Sequence, residues 1–223
     1  VLVVVLVGVV GFALDLALWN TSLLLTSATN AALLANLAPV WVGLGALVFL
    51  RERLAPGFWL GFTVAFAGMS VLVGIESVRQ LTLARGDLLA VGSSVVYAGY
   101  LLTTQRARSR VDTLTFMTVS ALVSAVVLFH LSLFLGQPLV GFSSRAWWAL
   151  VGLALVSHLG GWLALNYALG HLRAAPVSVS LLGQAVVTAL LAIPLLGEGL
   201  AAHQIVGGVM VLGGIAWVNL QRS

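Results

Sequence analysis

The chain contains no cysteine and no lysine among its 223 residues, and only 7% of its residues are charged. The missing cysteine excludes disulfides, a thiolate nucleophile and a cysteine metal site, and the missing lysine excludes Schiff-base chemistry. A soluble domain would carry roughly 25% charged residues. This chain is 61% hydrophobic and its mean hydropathy is +1.14. It has too little polar surface to fold in water, so lipid is the solvent for most of its length.

The few charges are mainly basic but scattered. Ten arginines stand against six acidic residues, and the isoelectric point is near 10.7. The arginines lie in short loops and form no basic stripe of the kind that nucleic-acid-binding proteins use. We therefore expect no nucleic-acid partner and take the lipid bilayer as the first partner of the chain.

Long apolar runs occur eight times, each close to the 20 or so residues that a transmembrane helix needs. They lie at residues 1–25, 29–50, 57–75, 87–104, 114–135, 147–169, 176–196 and 203–220. The sequence therefore predicts an all-α integral membrane protein with about eight membrane-spanning helices.

Arginine placement predicts the orientation of these helices, because short cytoplasmic loops are enriched in basic residues. A cytoplasmic N-terminus places most arginines in the cytoplasm, namely Arg51, Arg53, Arg106, Arg108, Arg110, Arg173 and Arg222. Only Arg79, Arg85 and Arg145 are then outside. We expect a multi-pass protein of the bacterial cytoplasmic (inner) membrane, with a cytoplasmic C-terminus.

A long segment of the chain is repeated. Residues 16–72 recur without a gap as residues 162–218, at a shift of 146 positions that places Asn20 on Asn166 and Glu52 on Glu198. Because the copies lie an odd number of helices apart, they insert in opposite orientations, as in many secondary transporters. The sequence thus predicts an inverted-repeat helical bundle.

The two copies differ in their number of helices. We expect residues 1–76 to form the last three helices of a first repeat and residues 86–222 to form a complete five-helix second repeat. A matched ten-helix protein, five plus five, would then have two further helices before Val1, since inverted-repeat transporters need matched halves around a central site. The alternative is a true eight-helix protein with an asymmetric first half.

Short motifs recur in the same order in both copies. The first copy has Leu37-Ala38-Pro39-Val40, then Arg51-Glu52-Arg53-Leu54, then Gly61 and Gly68. The second copy has Ala174-Ala175-Pro176, then Gly197-Glu198-Gly199-Leu200, then Gly207 and Gly214. This arrangement resembles the EamA repeat of the drug/metabolite transporter superfamily over nearly the whole chain.

The resemblance implies ten helices in two repeats and alternating-access transport of a small metabolite. In the EamA branch it favours export, with amino acids among the candidate substrates. Two positions depart from the family pattern: Gln184-Ala185 stand where Glu-Pro is frequent, and Gly199 follows Glu198 where a basic residue is frequent.

Two ionisable residues inside the apolar runs are candidates for proton coupling. An ionised carboxylate such as Asp15 costs at least ~2.5–3.5 kcal/mol at bilayer depth, so it usually faces a cavity. Histidine titrates near neutral pH, and His158 falls on Phe12 in the repeat, three residues from Asp15. We expect Asp15 and His158 to face each other across the axis between the copies. The structural alternatives are Asp15 bonded to Trp19 or Ser22, and His158 as a neutral interhelical residue.

Further polar and aromatic residues are candidates for substrate binding. Asn20 and Asn166 share a repeat position and either bind a polar solute or join helices. Aromatic side chains, including Tyr100, are large enough to form the walls of a pocket. The predicted substrate-binding set is Asp15, Trp19, Asn20, Asn36, Ser94, Tyr97, His158, Trp162, Asn166 and Gln184. No catalytic residue and no metal ligand is predicted.

Small residues at helical spacing predict close helix packing. They lie on equivalent helix faces of the two copies, at Gly61, Gly68, Gly207 and Gly214. We expect these faces to meet within one chain, with a homodimer contact as a further use. Glu52 lies between the second and third apolar runs. We expect it to pair with Arg51 or Arg53, or to cap the next helix.

Two other classes of protein compete with a transporter. An intramembrane enzyme would need a catalytic constellation, yet the chain has no HExxH motif, no cysteine and no paired membrane aspartates. We therefore expect no enzyme and no cofactor. A receptor-like or scaffold bundle fits the composition but has no need of an inverted repeat. The sequence favours a secondary transporter of a small-molecule substrate, either proton-coupled or facilitative.

Overall fold

A computed structural model describes residues 2–74, 84–197 and 199–221. Three residues used in the sequence arguments, Arg79, Glu198 and Arg222, lie outside these described ranges.

The described chain consists of helices joined by short loops. They are α1 (Leu2–Leu25), α2 (Ala28–Ala35), α3 (Ala38–Phe49), α4 (Pro56–Val73), α5 (Arg85–Arg108), α6 (Thr113–Phe134), α7 (Ser144–Gly152), a π-helix (Leu153–Gly161), α8 (Trp162–Leu169), α9 (Ala174–Ser180), α10 (Gly183–Leu196) and α11 (Ala202–Leu220). Within the described ranges, eight helical segments are long and apolar enough to cross a membrane. The predicted all-α membrane fold is confirmed.

Two spans that we expected to be continuous are interrupted. The span Ala28–Phe49 breaks between α2 and α3 at Asn36 and Leu37, and the span Ala174–Leu195 breaks between α9 and α10 at Leu181 and Leu182. In the first break, Pro39 stands in the first turn of α3, where a proline without an N–H is tolerated. Under the repeat shift the two breaks fall one residue apart, so both copies carry the same interruption.

The span Ser144–Leu169 contains a nine-residue π-helix, Leu153–Gly161, between α7 and α8. A π-helix adds a residue to each hydrogen-bonded turn, and such turns are frequent at functional sites. It rotates the following helix relative to a regular α-helix. The apolar run alone did not reveal this segment.

Helices α4 and α11 pack through the small-residue faces of the two copies. A Cβ on Gly61 would lie 2.8 Å from the Gly214 carbonyl oxygen, and one on Gly68 would lie 2.8 Å from that of Gly207. The two helices therefore run antiparallel at backbone contact, as the sequence predicted. The repeat shift carries the contact of Gly61 with Gly214 onto that of Gly207 with Gly68, as a two-fold axis between the copies requires.

Helices α1 and α5 form a second antiparallel pair. Thr26 donates a hydrogen bond of 2.6 Å to Asp87 at one end, while Gly8 lies against Thr103 at the other. Between these points α1 buries Val9, Phe12 and Ala13. This pair forms one wall of the site described next.

The loop after α5 is closed by Asp112, which caps α6 by accepting a hydrogen bond of 2.9 Å from the backbone nitrogen of Thr115. Hydrogen bonds from the side chain and backbone of Thr115 hold the pKa of this exposed carboxyl below its usual value. The cap fixes the start of α6, the helix that covers the site.

Candidate functional site

A cavity of about 330 Å³ lies where α1, α5, α6 and the span containing the π-helix meet. Its walls are mostly apolar and include side chains from both copies of the repeat. The lining residues are Phe12, Leu16, Tyr100, Met117, Ser120, Ala121, Ser124, Ala125, Leu128, Ala154, His158, Leu159, Trp162 and Asn166. We refer to it as the main cavity.

Two pairs of repeat-equivalent positions line the main cavity. Phe12 and His158 are related by the shift of 146 positions, as are Leu16 and Trp162, and all four contribute to the walls. Equivalent positions can contact one small cavity only where the cavity lies close to the axis that relates the copies. The main cavity is therefore placed between the repeats.

Aromatic rings form the wall between α1 and α8. The ring centroid of Phe12 lies 5.1 Å from that of Tyr100 and 4.5 Å from that of Trp162, while Tyr100 and Trp162 are 5.6 Å apart. Stacked and edge-to-face pairs at these separations contribute about 0.5–1.5 kcal/mol each beyond burial. The wall is thus rigid and apolar on one side of the cavity.

A hydrogen-bonded pair supplies polar atoms at this wall. The Tyr100 hydroxyl donates to Oδ1 of Asn166 over 3.0 Å, and Asn166 Nδ2 donates to the Trp162 carbonyl oxygen over 2.8 Å. Asn166 is only 1% exposed. Asn166 therefore joins helices, as one of the two sequence interpretations predicted, and it also lines the cavity.

Two serines on α6 face the cavity without hydrogen-bond partners. Ser120 and Ser124 are 3% and 4% exposed, and the Oγ atom of each has no partner among the described residues. A buried hydroxyl left unpaired costs about 1–3 kcal/mol. Both residues line the main cavity, and no described residue already occupies their hydroxyls.

Ser120 and Ser124 are absent from the predicted substrate-binding set, whose only serine is Ser94. A serine in a membrane helix carries no charge, amide or large ring that would distinguish it from a packing residue. The available signal was their spacing, because two serines four residues apart share one face of an otherwise apolar helix.

Asp15 and His158 do not share the main cavity, contrary to expectation. Asp15 is 7% exposed and accepts a hydrogen bond of 2.5 Å from Ser93 of α5, so neither Trp19 nor Ser22 is its partner. His158 is exposed in the π-helix and lines the cavity beside Phe12. The aspartate lies one turn behind the aromatic wall, on the α1–α5 interface.

Four other predicted residues lie outside this cavity, mainly on helix interfaces. Ser94 accepts a hydrogen bond of 2.9 Å from the Trp41 indole. Trp19 packs on the small cluster of Ala31, Leu34 and Ala90, and Tyr97 stands behind Tyr100 and Trp162. Asn20 is exposed and donates only to the Leu16 carbonyl oxygen. Trp19, Ser94 and Tyr97 therefore pack between helices, Asn20 lies on an exposed helix face, and none of the four lines the main cavity.

Asn36 and Gln184 line a second cavity of about 530 Å³. It lies between α2, the end of α4, α10 and the start of α11, and Thr188 and Gln204 add polar atoms to its walls. Asn36 already donates to the Ala32 carbonyl oxygen over 2.7 Å. The predicted set is therefore divided between two cavities and the helix interfaces.

Glu52 has a partner that the sequence did not suggest. Gln105 of α5 donates to Glu52 Oε1 over 3.0 Å, and Gln105 Oε1 accepts from the backbone nitrogen of Ala174 over 2.6 Å. The expected pairing with Arg51 or Arg53 is wrong. One amide side chain instead links the loop before α4 to the start of α9, and so links the two copies.

A metal site would require several ligand side chains close together in the described part of the chain. Residues 2–74, 84–197 and 199–221 contain no group of three or more histidine, aspartate or glutamate side chains placed to hold an ion.

Comparison with known proteins places this architecture among transporters. The EamA-like transporter family matches residues 1–74 and 84–220. An uncharacterized transporter, YyaM, of Bacillus subtilis (strain 168) is 26% identical over 215 residues, which cover 94% of this chain and 69% of that protein. An uncharacterized transporter of Archaeoglobus fulgidus is 27% identical over 217 residues, covering 96% of this chain and 76% of its own length.

Two further similarities are narrower in what they show. Solute carrier family 35 member F6 of mouse is 33% identical over 82 residues, which is 33% of this chain and 22% of that protein. A solved crystal structure superposes with a TM-score of 0.82 over 99% of this chain and 77% of its own, at 22% identity. That superposition shows the fold alone.

Proposed function

Because the chain belongs to the EamA-like transporter family and is thus a multi-pass membrane transporter, we propose that it exports small metabolites by alternating access. Substrate binds in the main cavity, and rocking of one repeat against the other opens that cavity to each membrane face in turn.

The observation that carries this proposal is the position of the main cavity. Its walls include both members of two repeat-equivalent pairs, Phe12 with His158 and Leu16 with Trp162. Inverted-repeat transporters bind substrate at the repeat interface, because only a site near the axis is reached equally from both sides. The antiparallel contact of α4 with α11 supports the same axis.

The lining favours an uncharged or aromatic portion of the substrate. Among the described lining residues, His158 and the Tyr100 phenol are the only ionisable groups, and none is an arginine or an acid. A buried charge without a counter-charge is strongly disfavoured. A small metabolite with a flat apolar part and one or two neutral hydrogen-bonding groups fits the rings and the hydroxyls of Ser120 and Ser124. Amino acids belong to this class when the side chain enters the cavity.

Proton coupling is proposed through Asp15 or His158. His158 lies in the cavity wall, and Asp15 lies behind that wall with Ser93 as its hydrogen-bond donor. Ionisable residues within membrane spans commonly form proton relays. The alternative is facilitated diffusion, in which an imposed pH gradient would not change the flux of solute into vesicles.

We propose the bacterial inner membrane as the location, with the C-terminus in the cytoplasm. The loops that follow α3, α5 and α8 carry Arg51, Arg53, Arg110 and Arg173, and the last turn of α5 carries Arg106 and Arg108. The number of intervening spans puts these helix ends at one membrane face. The excess of arginine at this face supports a cytoplasmic assignment.

The absence of cysteine permits a direct test of alternating access. Ser120→Cys introduces one thiol into the cavity wall, and Leu122→Cys introduces one on the exposed face of the same helix. In vesicles, a membrane-impermeant thiol reagent should label Ser120→Cys from either side, and a transported solute should slow that labelling. Leu122→Cys should not be labelled from either side, with or without solute, because its thiol faces lipid that the reagent does not enter. The solute is first chosen by a thermal-shift screen of amino acids, nucleosides, sugars and cationic drugs.

Flux measurements complete this test. Preloading vesicles with unlabelled solute should accelerate entry of labelled solute, because a carrier returns faster when loaded. Labelling of Ser120→Cys from one side only, together with entry that rises linearly with concentration, would reject alternating access.

A further inference from the structure

A third cavity, of about 420 Å³, opens at the membrane face where the loops of both copies meet. Arg53 from the loop before α4 and Arg173 from the loop before α9 stand at its rim, with His171 and Gln221 beside them. Its floor is apolar and includes Phe58 and Val218. It is separate from the main cavity, with which it shares no lining residue.

The positive charge of this cavity is uncompensated within the described residues. Arg53 and Arg173 make no ion pair and no side-chain hydrogen bond there, and both are exposed. None of the four described acids lines this cavity. Their hydrogen-bond donors are Ser93 for Asp15, Thr26 for Asp87, Thr115 for Asp112 and Gln105 for Oε1 of Glu52. Two guanidinium groups therefore line one concave space whose described walls carry no acidic side chain.

We propose that this cavity binds the phosphate group of an acidic phospholipid. Guanidinium groups match phosphate oxygens through paired N–H donors, and basic pockets between membrane helices bind anionic head groups. The apolar floor contacts the glycerol and the first methylene groups, which a free inorganic phosphate lacks. Because Arg53 belongs to the first copy and Arg173 to the second, one bound lipid bridges the two copies at this face.

Binding is measured on the whole protein by native mass spectrometry in detergent. Phosphatidylglycerol, phosphatidylcholine and inorganic phosphate are titrated separately. Phosphatidylglycerol should bind at least about tenfold more tightly than phosphatidylcholine. The double variant Arg53→Gln/Arg173→Gln should lose roughly 30-fold in phosphatidylglycerol affinity, the effect of two basic contacts at a membrane surface.

The matched control is Arg106→Gln/Arg110→Gln, which removes the same charge from exposed positions at the same face, outside the cavity. It should change the affinity by less than about threefold, as expected for charges that act only at long range through salt. Equal losses in the two double variants would overturn the proposal and indicate diffuse surface charge. Equal affinity for the two lipids in the unmodified protein would also overturn it.

Two measurements on the unmodified protein keep the proposal testable if a variant folds poorly. The preference for phosphatidylglycerol should disappear near 1 M salt, where the screening length is about 3 Å, and a preference that survives would contradict charge recognition. If inorganic phosphate displaces phosphatidylglycerol at equal concentration, the proposal of a bound lipid is rejected and the site binds a soluble phosphate instead.

Discussion

Ser93 donates a hydrogen bond of 2.5 Å to Asp15, and this bond joins α5 to α1 directly behind the aromatic wall of the main cavity. Both residues are buried, with exposures of 2% and 7%. A carboxylate at this depth needs such a donor, because an ionised group in the membrane interior is otherwise strongly disfavoured. The bond explains how the chain accommodates Asp15 whether or not that residue carries a proton during transport.

Replacement of Asp15 separates its charge from its structural role. In Asp15→Asn the amide oxygen still accepts from Ser93, so the fold should persist, but the side chain can no longer bind and release a proton. We expect solute flux in vesicles to lose its dependence on an imposed pH gradient. The matched control is Asp87→Asn, since Asp87 is also buried and accepts a hydrogen bond from Thr26. It should retain coupling, and unchanged coupling in Asp15→Asn would reject the assignment.

The unpaired hydroxyls on α6 give a prediction about substrate affinity. Removing both with Ser120→Ala/Ser124→Ala should weaken solute binding by about 2- to 10-fold for each hydrogen bond lost, the range expected for neutral hydrogen bonds. Protein stability should be unchanged or slightly higher, because two unpaired buried atoms disappear. Thr118→Ala, on the exposed side of the same helix, is the control. Binding measured by isothermal titration that is equal in all three proteins would place the solute elsewhere.

The contact between α4 and α11 gives a prediction about stability. A Cβ on Gly207 would lie 2.6 Å from the Gly68 carbonyl oxygen, and backbone atoms cannot move aside as a flexible side chain can. Gly207→Ala should therefore cost about 1–3 kcal/mol in the free energy of unfolding, as overpacking does. Gly213→Ala on the same helix meets no atom within 4 Å and should be neutral or slightly stabilising. Equal unfolding midpoints for the two variants in detergent would contradict this packing.

The eight membrane-spanning helices were predictable from the sequence, because a membrane span needs an apolar run of a known length. Backbone detail did not follow, since apolar runs conceal local changes in hydrogen bonding. The break at Asn36 and Leu37 interrupts a run that is apolar on both sides, and the π-helix Leu153–Gly161 contains no proline. Hydropathy measures only the free energy of transferring side chains from water to lipid. That free energy is the same whether the turn is α-helical or π-helical.

The site was predictable where the repeat supplied a second piece of information. The repeat shift of 146 positions distinguishes His158 and Asn166, whereas Trp162 is predicted from the size of its side chain, and all three line the main cavity. The partner of Asp15 was not predictable, because Ser93 lies 78 residues away on another helix. Pairing between helices depends on how each helix is rotated about its axis. Helices without a distinct polar face give no signal in the sequence from which that rotation can be predicted. For the same reason, the sequence does not predict that Asn20 is exposed while its repeat equivalent Asn166 is buried.

The Gln105 amide forms hydrogen bonds with Glu52 of one copy and with the Ala174 backbone nitrogen of the other. Gln105→Leu keeps the size of the side chain but leaves both partners without it, which should cost about 1–3 kcal/mol in the free energy of unfolding. Since the bridge holds the copies together at the face rich in arginine, its loss should also open the main cavity toward that face. Labelling of Ser120→Cys from that side should then be faster in the Gln105→Leu background. Arg106→Gln, an exposed neighbour on α5, should alter neither property. Lower stability with unchanged labelling would show that Gln105 joins the copies without controlling access to the cavity.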